Sequence, residues 1–206
     1  MNNVSGVFDI LRTIIYRIGW VVLLVTCCEN PFATREVEEP IRARSNREIP
    51  SDPEAVLQNL KSAIADKNVA NYMACLTSKA QSFSFVPDQF VKENNPVVFQ
   101  IWGLEEEQNY MNQVRNYVPI DSISQLSLDE IPGTISNEVF ADSALLRRNY
   151  TLILNHTYKG NVPRRATGQA YFWIFKEEGQ WFIRRWIDFG TSGQACWSAI
   201  KAGFGQ

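Results

Sequence analysis

The residues most able to carry chemistry in this chain are few and far apart. His156 is the only histidine among 206 residues, which excludes any site needing two imidazoles from one chain, most zinc hydrolase arrangements included. It follows Tyr150, Leu152 and Leu154 at the same alternating parity, so it is expected at the inner rim of a sheet. There it is either an acid–base group retuned by an apolar pocket or a hydrogen-bonded histidine at a strand end. Asp188 shares strand parity with Phe182, Arg184 and Trp186. It is either a proton carrier between tryptophan-rich segments or a structural acid. In the second role it would bind Arg184, Lys201 or backbone N–H groups and pin a final helix to the sheet, because a buried carboxylate needs partners. Asp88, directly after Pro87, either faces the same pocket or belongs to an ordinary turn. No metal, nucleotide or other cofactor is indicated.

Aromatic residues make up 12% of the chain and crowd into its last third. Tyr150, Trp173, Phe175, Trp181 and Trp186 are expected either to wall a pocket for a small apolar ligand or to fill the core. A third option is that they meet a second copy of the chain across the sheet. A net charge of −2 leaves no basic footprint for nucleic acid. With 45% hydrophobic residues there is enough apolar material for one substantial core. The stretch Gly190-Thr191-Ser192-Gly193 has no phosphate-loop lysine spacing and reads as a loop.

Elements to position these residues can be read from periodicity. Ser51 and Glu54 have capping-box spacing around Pro53, and Val56, Leu57, Leu60, Ala63 and Ile64 repeat as one helical face. After a break at Lys67-Asn68, a second helix carries Val69, Tyr72, Met73 and Leu76. The segment "SFSFVPDQF" reads as a loop or short extended piece. A third helix is expected from about Glu105, with acids at its dipole-favoured start and Tyr110, Met111, Val114, Tyr117 and Val118 as its stripe. Beyond Pro119 the period becomes that of strands: "SISQLSLDEI", "LRRNYTLILNHTY", then "ATGQAYFWIFKEE" and "QWFIRRWIDFG" joined by a Glu178-Gly179 turn. "YFWIF" is bulky on both faces, as a strand covered on both sides would be. A short last helix includes Trp197 to Lys201. The fold class expected is α+β, with N-terminal helices packed on a strongly curved antiparallel sheet of about four strands.

The N-terminus carries a different kind of signal. Arg12 and Arg17 precede an uncharged run from Ile18 to Thr26, too short for a membrane-spanning helix of about 20 residues but fitting the apolar region of an export signal. "LVTC", Leu24 to Cys27, resembles the lipobox of bacterial lipoproteins, although Thr26 stands where Gly, Ala or Ser is usual. The resemblance implies cleavage before Cys27, acylation of its sulfur and amine with chains such as palmitate, and Cys28 as the alternative acceptor. Residues 1–26 are then a signal peptide, and residues 27–50, charged and proline-marked, the lipidated cysteine with a polar tether. Glu29, two positions after Cys27, is not the Asp that marks inner-membrane retention in enteric bacteria. The expected location is therefore the cell envelope, at the outer membrane rather than the inner. Export would permit a disulfide between Cys75 and Cys196, and two free buried thiols are the alternative.

Ser51-Asp52-Pro53, "VLQNLKSAIADKNVANYMACL", Trp102 with Glu106, and "QWFIRRWID" closing on "CWSAIK" together resemble a group of bacterial lipoproteins. Their soluble part has the nuclear transport factor 2-like, or cone-shaped cystatin-like, fold. The resemblance covers residues 51–206, and its most specific element is W-x-I-x-x-W-x-D, here Trp181, Ile183, Trp186 and Asp188. It implies helices closing one side of a bent sheet, leaving a cone with an apolar mouth. Proteins of this fold serve as enzymes, ligand binders and dimeric protein-binding modules, so the fold leaves function open. Those similar to ketosteroid isomerase or scytalone dehydratase use Asp or His in an apolar pocket, which makes His156, Asp88 and Asp188 the positions to inspect. The expected function is a membrane-tethered module that binds a small apolar ligand or a protein partner. An isomerase- or dehydratase-like enzyme, or a purely structural envelope protein, is the alternative.

Overall fold

The folded domain reaches slightly further toward the N-terminus than expected. A computed structural model describes residues 47–77 and 83–205; the signal peptide, Cys27, Cys28 and most of the tether lie outside the described residues. Glu48 exchanges two 2.8 Å hydrogen bonds with the Asn59 side chain, and Pro50 accepts one from the Trp181 backbone N–H. Residues 48–50, assigned to the tether from composition, therefore dock on the domain.

Helix α1 (Pro53–Ala65) begins one residue later than its capping-box spacing implied. Asp52, not Ser51, is the N-cap, and its carboxylate accepts the Ala55 N–H at 2.9 Å. Glu54 is released from capping and instead pairs with the buried Arg148. Helix α2 (Val69–Met73) follows, capped by Asn68. Strand β1 (Ser84–Val86) leads into α3 (Gln89–Asn94), a short helix that sequence periodicity did not reveal. Helix α4 (Leu104–Tyr117) ends before Pro119, where the missing N–H stops it. The sheet strands are β2 (Ser124–Glu130), β3 (Asn137–Val139), β4 (Ser143–Leu154), β5 (Arg165–Glu177) and β6 (Gln180–Gly190), and α5 (Trp197–Phe204) closes the chain.

The four strands expected are β2, β4, β5 and β6, and two three-residue strands extend them. The order is β1-β6-β5-β4-β2, with β3 beside the first half of β4, and every pairing is antiparallel except β1 with β6. The β5–β6 hairpin turns at Glu178 and Gly179, both at positive φ, as a tight two-residue connection requires. The sheet is curved and open. Its concave face buries alternate residues, Leu146, Tyr150, Leu152 and Leu154 on β4 and Ala166, Ala170, Phe172 and Ile174 on β5. Against that face pack the apolar stripes of α1, α4 and α5, forming one continuous core. Among the described residues no helix is long and apolar enough to cross a membrane.

Candidate functional site

The closing motif positions the site through an irregularity. Trp173 of β5 lies opposite Arg185, whereas the next residue, Ile174, lies opposite Ile183. Arg184 is thus the extra residue of a β-bulge, and the alternation of faces slips by one. Trp181 and Ile183 point inward before the bulge, Trp186 and Asp188 after it, and all four are buried. The expectation that Asp188 shares a face with Phe182 and Arg184 is corrected by this slip. The five-residue spacing of W-x-I-x-x-W-x-D is the mark of the bulge.

Two acids reach the interior. Glu107 lies on the inner face of α4 and accepts the Tyr72 hydroxyl at 2.6 Å, the Trp102 indole N–H at 2.8 Å and the Lys201 ammonium of α5. Lys201 and Glu107 are both fully buried. The Lys201 Nζ stands 3.7 Å from the Phe85 ring centroid and 4.0 Å from that of Trp186, with Trp102 and Tyr110 at 5.5 and 5.4 Å. Four rings thus surround one cation, an arrangement in which ring quadrupoles replace lost water. Burial pulls the Lys201 pKa down to about 8, against the opposing pull of Glu107 and, further off, Asp188. Burial likewise raises the Tyr72 and Tyr110 hydroxyls above their usual range.

Asp188, the second acid, is held by neutral donors alone. It accepts the Tyr150 hydroxyl at 2.7 Å, the Ser198 N–H at 2.7 Å and the Ser198 hydroxyl at 2.5 Å. Tyr150 in turn accepts the Trp197 N–H at 2.7 Å. Burial raises the Asp188 pKa, and the Ser198 and Tyr150 hydrogen bonds and the Lys201 charge only partly offset it. Both networks end on α5, through Lys201 in one and Trp197 with Ser198 in the other, so the final helix is latched to sheet and helices together. Trp186 meets Trp197 at 85° with centroids 4.3 Å apart, filling the space between the latches.

The remaining candidates separate. His156 sits just past β4, 3% exposed, its ring 5.3 Å from that of Phe204 and neither nitrogen hydrogen-bonded among the described residues. The reading as a hydrogen-bonded histidine at a strand end is therefore not met among the described residues, and the ring lies against an aromatic neighbour instead. Asp88 is half-buried and caps α3 through the Val91 N–H, while its other oxygen accepts the Gly190 N–H at 2.9 Å. Its backbone N–H donates to the Ser198 hydroxyl at 2.9 Å, which joins the start of α3 to the Asp188 network. Trp173 and Phe175, expected in the pocket or core, are corrected to the outer face of the sheet, where they are half-buried and the Arg184 guanidinium lies 4.4 Å from the Phe175 ring centroid. Cys75 and Cys196 are free and buried, and burial pushes both thiols up to about 12, so neither is a nucleophile at neutral pH.

Glu107, Ser198 and Tyr72 were not singled out from the sequence. Glu107 was legible, because it shares a helical face with Tyr110, Met111 and Val114, and an acid on an apolar stripe implies a buried partner. Among the described residues no cluster of His, Cys, Asp or Glu could hold a metal ion. Among the described residues, Glu107, Lys201, Asp188, Tyr72, Tyr110 and Tyr150 are each engaged by another side chain and buried. The arrangement fixes the final helix against the sheet and α4.

With this geometry in view, the chain can be set beside known proteins. No family model matches it, and no curated protein does. Among solved structures, a conserved protein from Planctomyces limnophilus superposes with a TM-score of 0.51 at 14% identity, covering 67% of this chain and 92% of that one. An NTF-2-like protein of unknown function from Shewanella oneidensis gives 0.45 at 13% identity, over 65% of this chain and 93% of that one. A Nostoc punctiforme protein of unknown function with a cystatin-like fold gives 0.46 at 12% identity, over 68% and 89%. The fold is nuclear transport factor 2-like. At these identities the likeness is one of fold alone, and this nuclear transport factor 2-like domain takes its functional reading from its own residues.

Proposed function

We propose that this chain is a lipid-tethered envelope protein whose cone-shaped domain is a protein-binding module and not an enzyme. The observation that carries the reading is the filled cone: Lys201, Glu107, Trp186 and Trp197, all wholly buried, occupy the interior where a ligand or substrate would lie. A small apolar ligand there would have to displace a tryptophan or an ion pair, each costly to expose. An isomerase or dehydratase would need Asp188 or His156 to reach a substrate, and the two are 1% and 3% exposed. The outer face of the sheet supplies the alternative surface. Tyr171, Trp173 and Phe175 line it half-buried, with Arg147 and Arg184 laid over the rings of Tyr171 and Phe175. Aromatic residues interleaved with arginine are the composition of protein interfaces, and a second copy of the chain is the simplest partner. The tether reading rests on Cys27, or Cys28, following an uncharged export segment.

The test measures assembly and acylation separately. Size-exclusion and native mass spectrometry of the protein should show association that Trp173→Glu abolishes without unfolding the chain. A wild-type chain that is monomeric, and whose cellular partners survive that substitution, overturns the binding reading. Labelled palmitate should enter the wild-type chain and be lost in Cys27→Ser, or in Cys28→Ser if the cleavage falls one residue later.

A further inference from the structure

The outer face of the sheet is ordered by rows as well as by strands. Glu138 of β3 lies beside Leu145 of β4, Leu145 beside Trp173 of β5, and Trp173 beside Arg185 of β6, all on the face turned away from the helices. Across that row an acid stands at one edge, a base at the other and apolar side chains between. The Glu138 side chain is 39% exposed although Arg147 pairs with it. Arg185 is exposed and makes no ion pair among the described residues. The other charges of this face are engaged or distant. Glu177 pairs with Arg184, while Asp129 and Arg165 lie further along, level with Asn149 and Ile153 of β4. Asp142 and Glu178 belong to the two hairpin turns, and Lys176 points to the other face, over Trp181.

Two neighbouring rows complete the pattern. On one side Arg147, Tyr171 and Ile187 lie abreast. On the other, nearer the turns, Phe140, Ser143, Phe175 and Phe182 do, with Phe140 61% exposed. Sheets packed face to face keep their strands roughly aligned, about 10 Å apart, so a second copy has two symmetric ways to cover this face. A two-fold axis across the strands sets Glu138 against Glu138 and Arg185 against Arg185. A two-fold axis along the strands, between β4 and β5, reverses each row instead. Glu138 then meets Arg185, Leu145 meets Trp173, Arg147 meets Tyr171 and Phe140 meets Phe182. Like charges oppose the first arrangement, and opposite charges with apolar pairs favour the second.

The entry of the chain selects the same arrangement. Pro50 and Ser51 accept the backbone and indole N–H groups of Trp181, so the described chain reaches the domain at the first residues of β6. An axis along the strands leaves both entry points at one end of the pair, where two tethers from one membrane can meet them. An axis across the strands sends them to opposite ends. We propose that the partner on this face is a second copy of the chain, related by a two-fold axis that runs along the strands and pairs Glu138 of each copy with Arg185 of the other. The inference rests on the outer-face reading above and deepens it by fixing the partner and its orientation. The tether reading lends it support, and the charge order stands without it.

The experiment uses full-length protein in detergent and measures its dimer dissociation constant by analytical ultracentrifugation, with melting curves as the check on folding. Arg185→Glu should weaken the dimer about tenfold or more, because it sets like charges against each other at two symmetric contacts. Arg185→Gln, which removes the charge without reversing it, should weaken it less. Glu138→Arg/Arg185→Glu swaps the ends of the row and should restore most of the affinity. Chains carrying Glu138→Arg alone, mixed with chains carrying Arg185→Glu alone, should form a mixed dimer although each dissociates by itself. A dimer that Trp173→Glu dissociates but neither charge reversal weakens overturns the axis and leaves the outer-face reading standing. Charge reversals that weaken the dimer with no recovery in the swapped variant overturn it equally. A wild-type chain that stays monomeric overturns the second copy, and the outer-face reading then survives only if Trp173→Glu releases another protein. A dimer indifferent to Trp173→Glu removes the outer-face reading and this inference together.

Discussion

Glu107 and Asp188 are two acids in one interior, satisfied in opposite ways. Glu107 takes a cation and two neutral donors, whereas Asp188 takes three neutral donors and no cation within hydrogen-bonding reach. The difference shows what each can lose. A carboxylate held by hydroxyls and an N–H can take up a proton and keep most of its geometry. An ion pair ringed by aromatic groups cannot lose one member without stranding the other. The Glu107–Lys201 half should therefore be the brittle one, and the Asp188 half the adjustable one.

The sharpest way to break this contrast is Glu107→Leu. It leaves Lys201 without its anion and the Tyr72 and Trp102 donors without an acceptor, so unfolding free energy in urea should fall by about 3–5 kcal/mol. Glu107→Leu/Lys201→Met should recover part of that loss, and a cycle with no coupling would dissolve the ion pair as an explanation. Asp188→Asn should cost less, about 1–3 kcal/mol, because one oxygen still accepts while a donor is left unpaired. If it cost more than Glu107→Leu, the ranking would be reversed.

The smallest effect is in pH, where the halves should differ in sign. The Lys201 pKa is lowered on folding, so between about pH 8 and the unfolded value of 10.5 the unfolded chain holds more protons. Stability owed to that residue therefore rises with pH across the window, by at most about 1.4 kcal/mol per unit, and is flat below it. The Asp188 pKa is raised, so the native chain holds the extra proton. Its contribution is present in acid and is lost as pH climbs from 3.8 through the native value. Urea midpoints of the wild type against the Glu107→Leu/Lys201→Met and Asp188→Asn variants should separate the two slopes.

Much of the scaffold was legible because it is periodic. The stripe of α1, the alternation along β4 and the Glu178-Gly179 turn are local patterns, and each appears where its period placed it. Helix α3 escaped because six residues carry barely one turn of pattern beyond their Asp88 cap. The faces of β6 were misassigned because strict alternation was assumed across Arg184, and the bulge breaks it. Trp173 and Phe175 were placed inside by size, yet parity with buried Phe172 and Ile174 puts them outside. The pairing of Glu107 with Lys201 spans 94 residues, and only the fold brings such partners together.

The extra residue at Arg184 has a consequence for how this chain can change over time. Substitutions at positions 184 and 185 alter the outer surface and nothing within. Loss of one of the two would close the bulge into a regular ladder and leave Ile183, Trp186 and Asp188 facing inward, giving up only the local bend and added twist. The strand should therefore tolerate a one-residue deletion there and nowhere else along its length, and distant kin should carry either spacing between the two tryptophans while the same side chains keep facing inward.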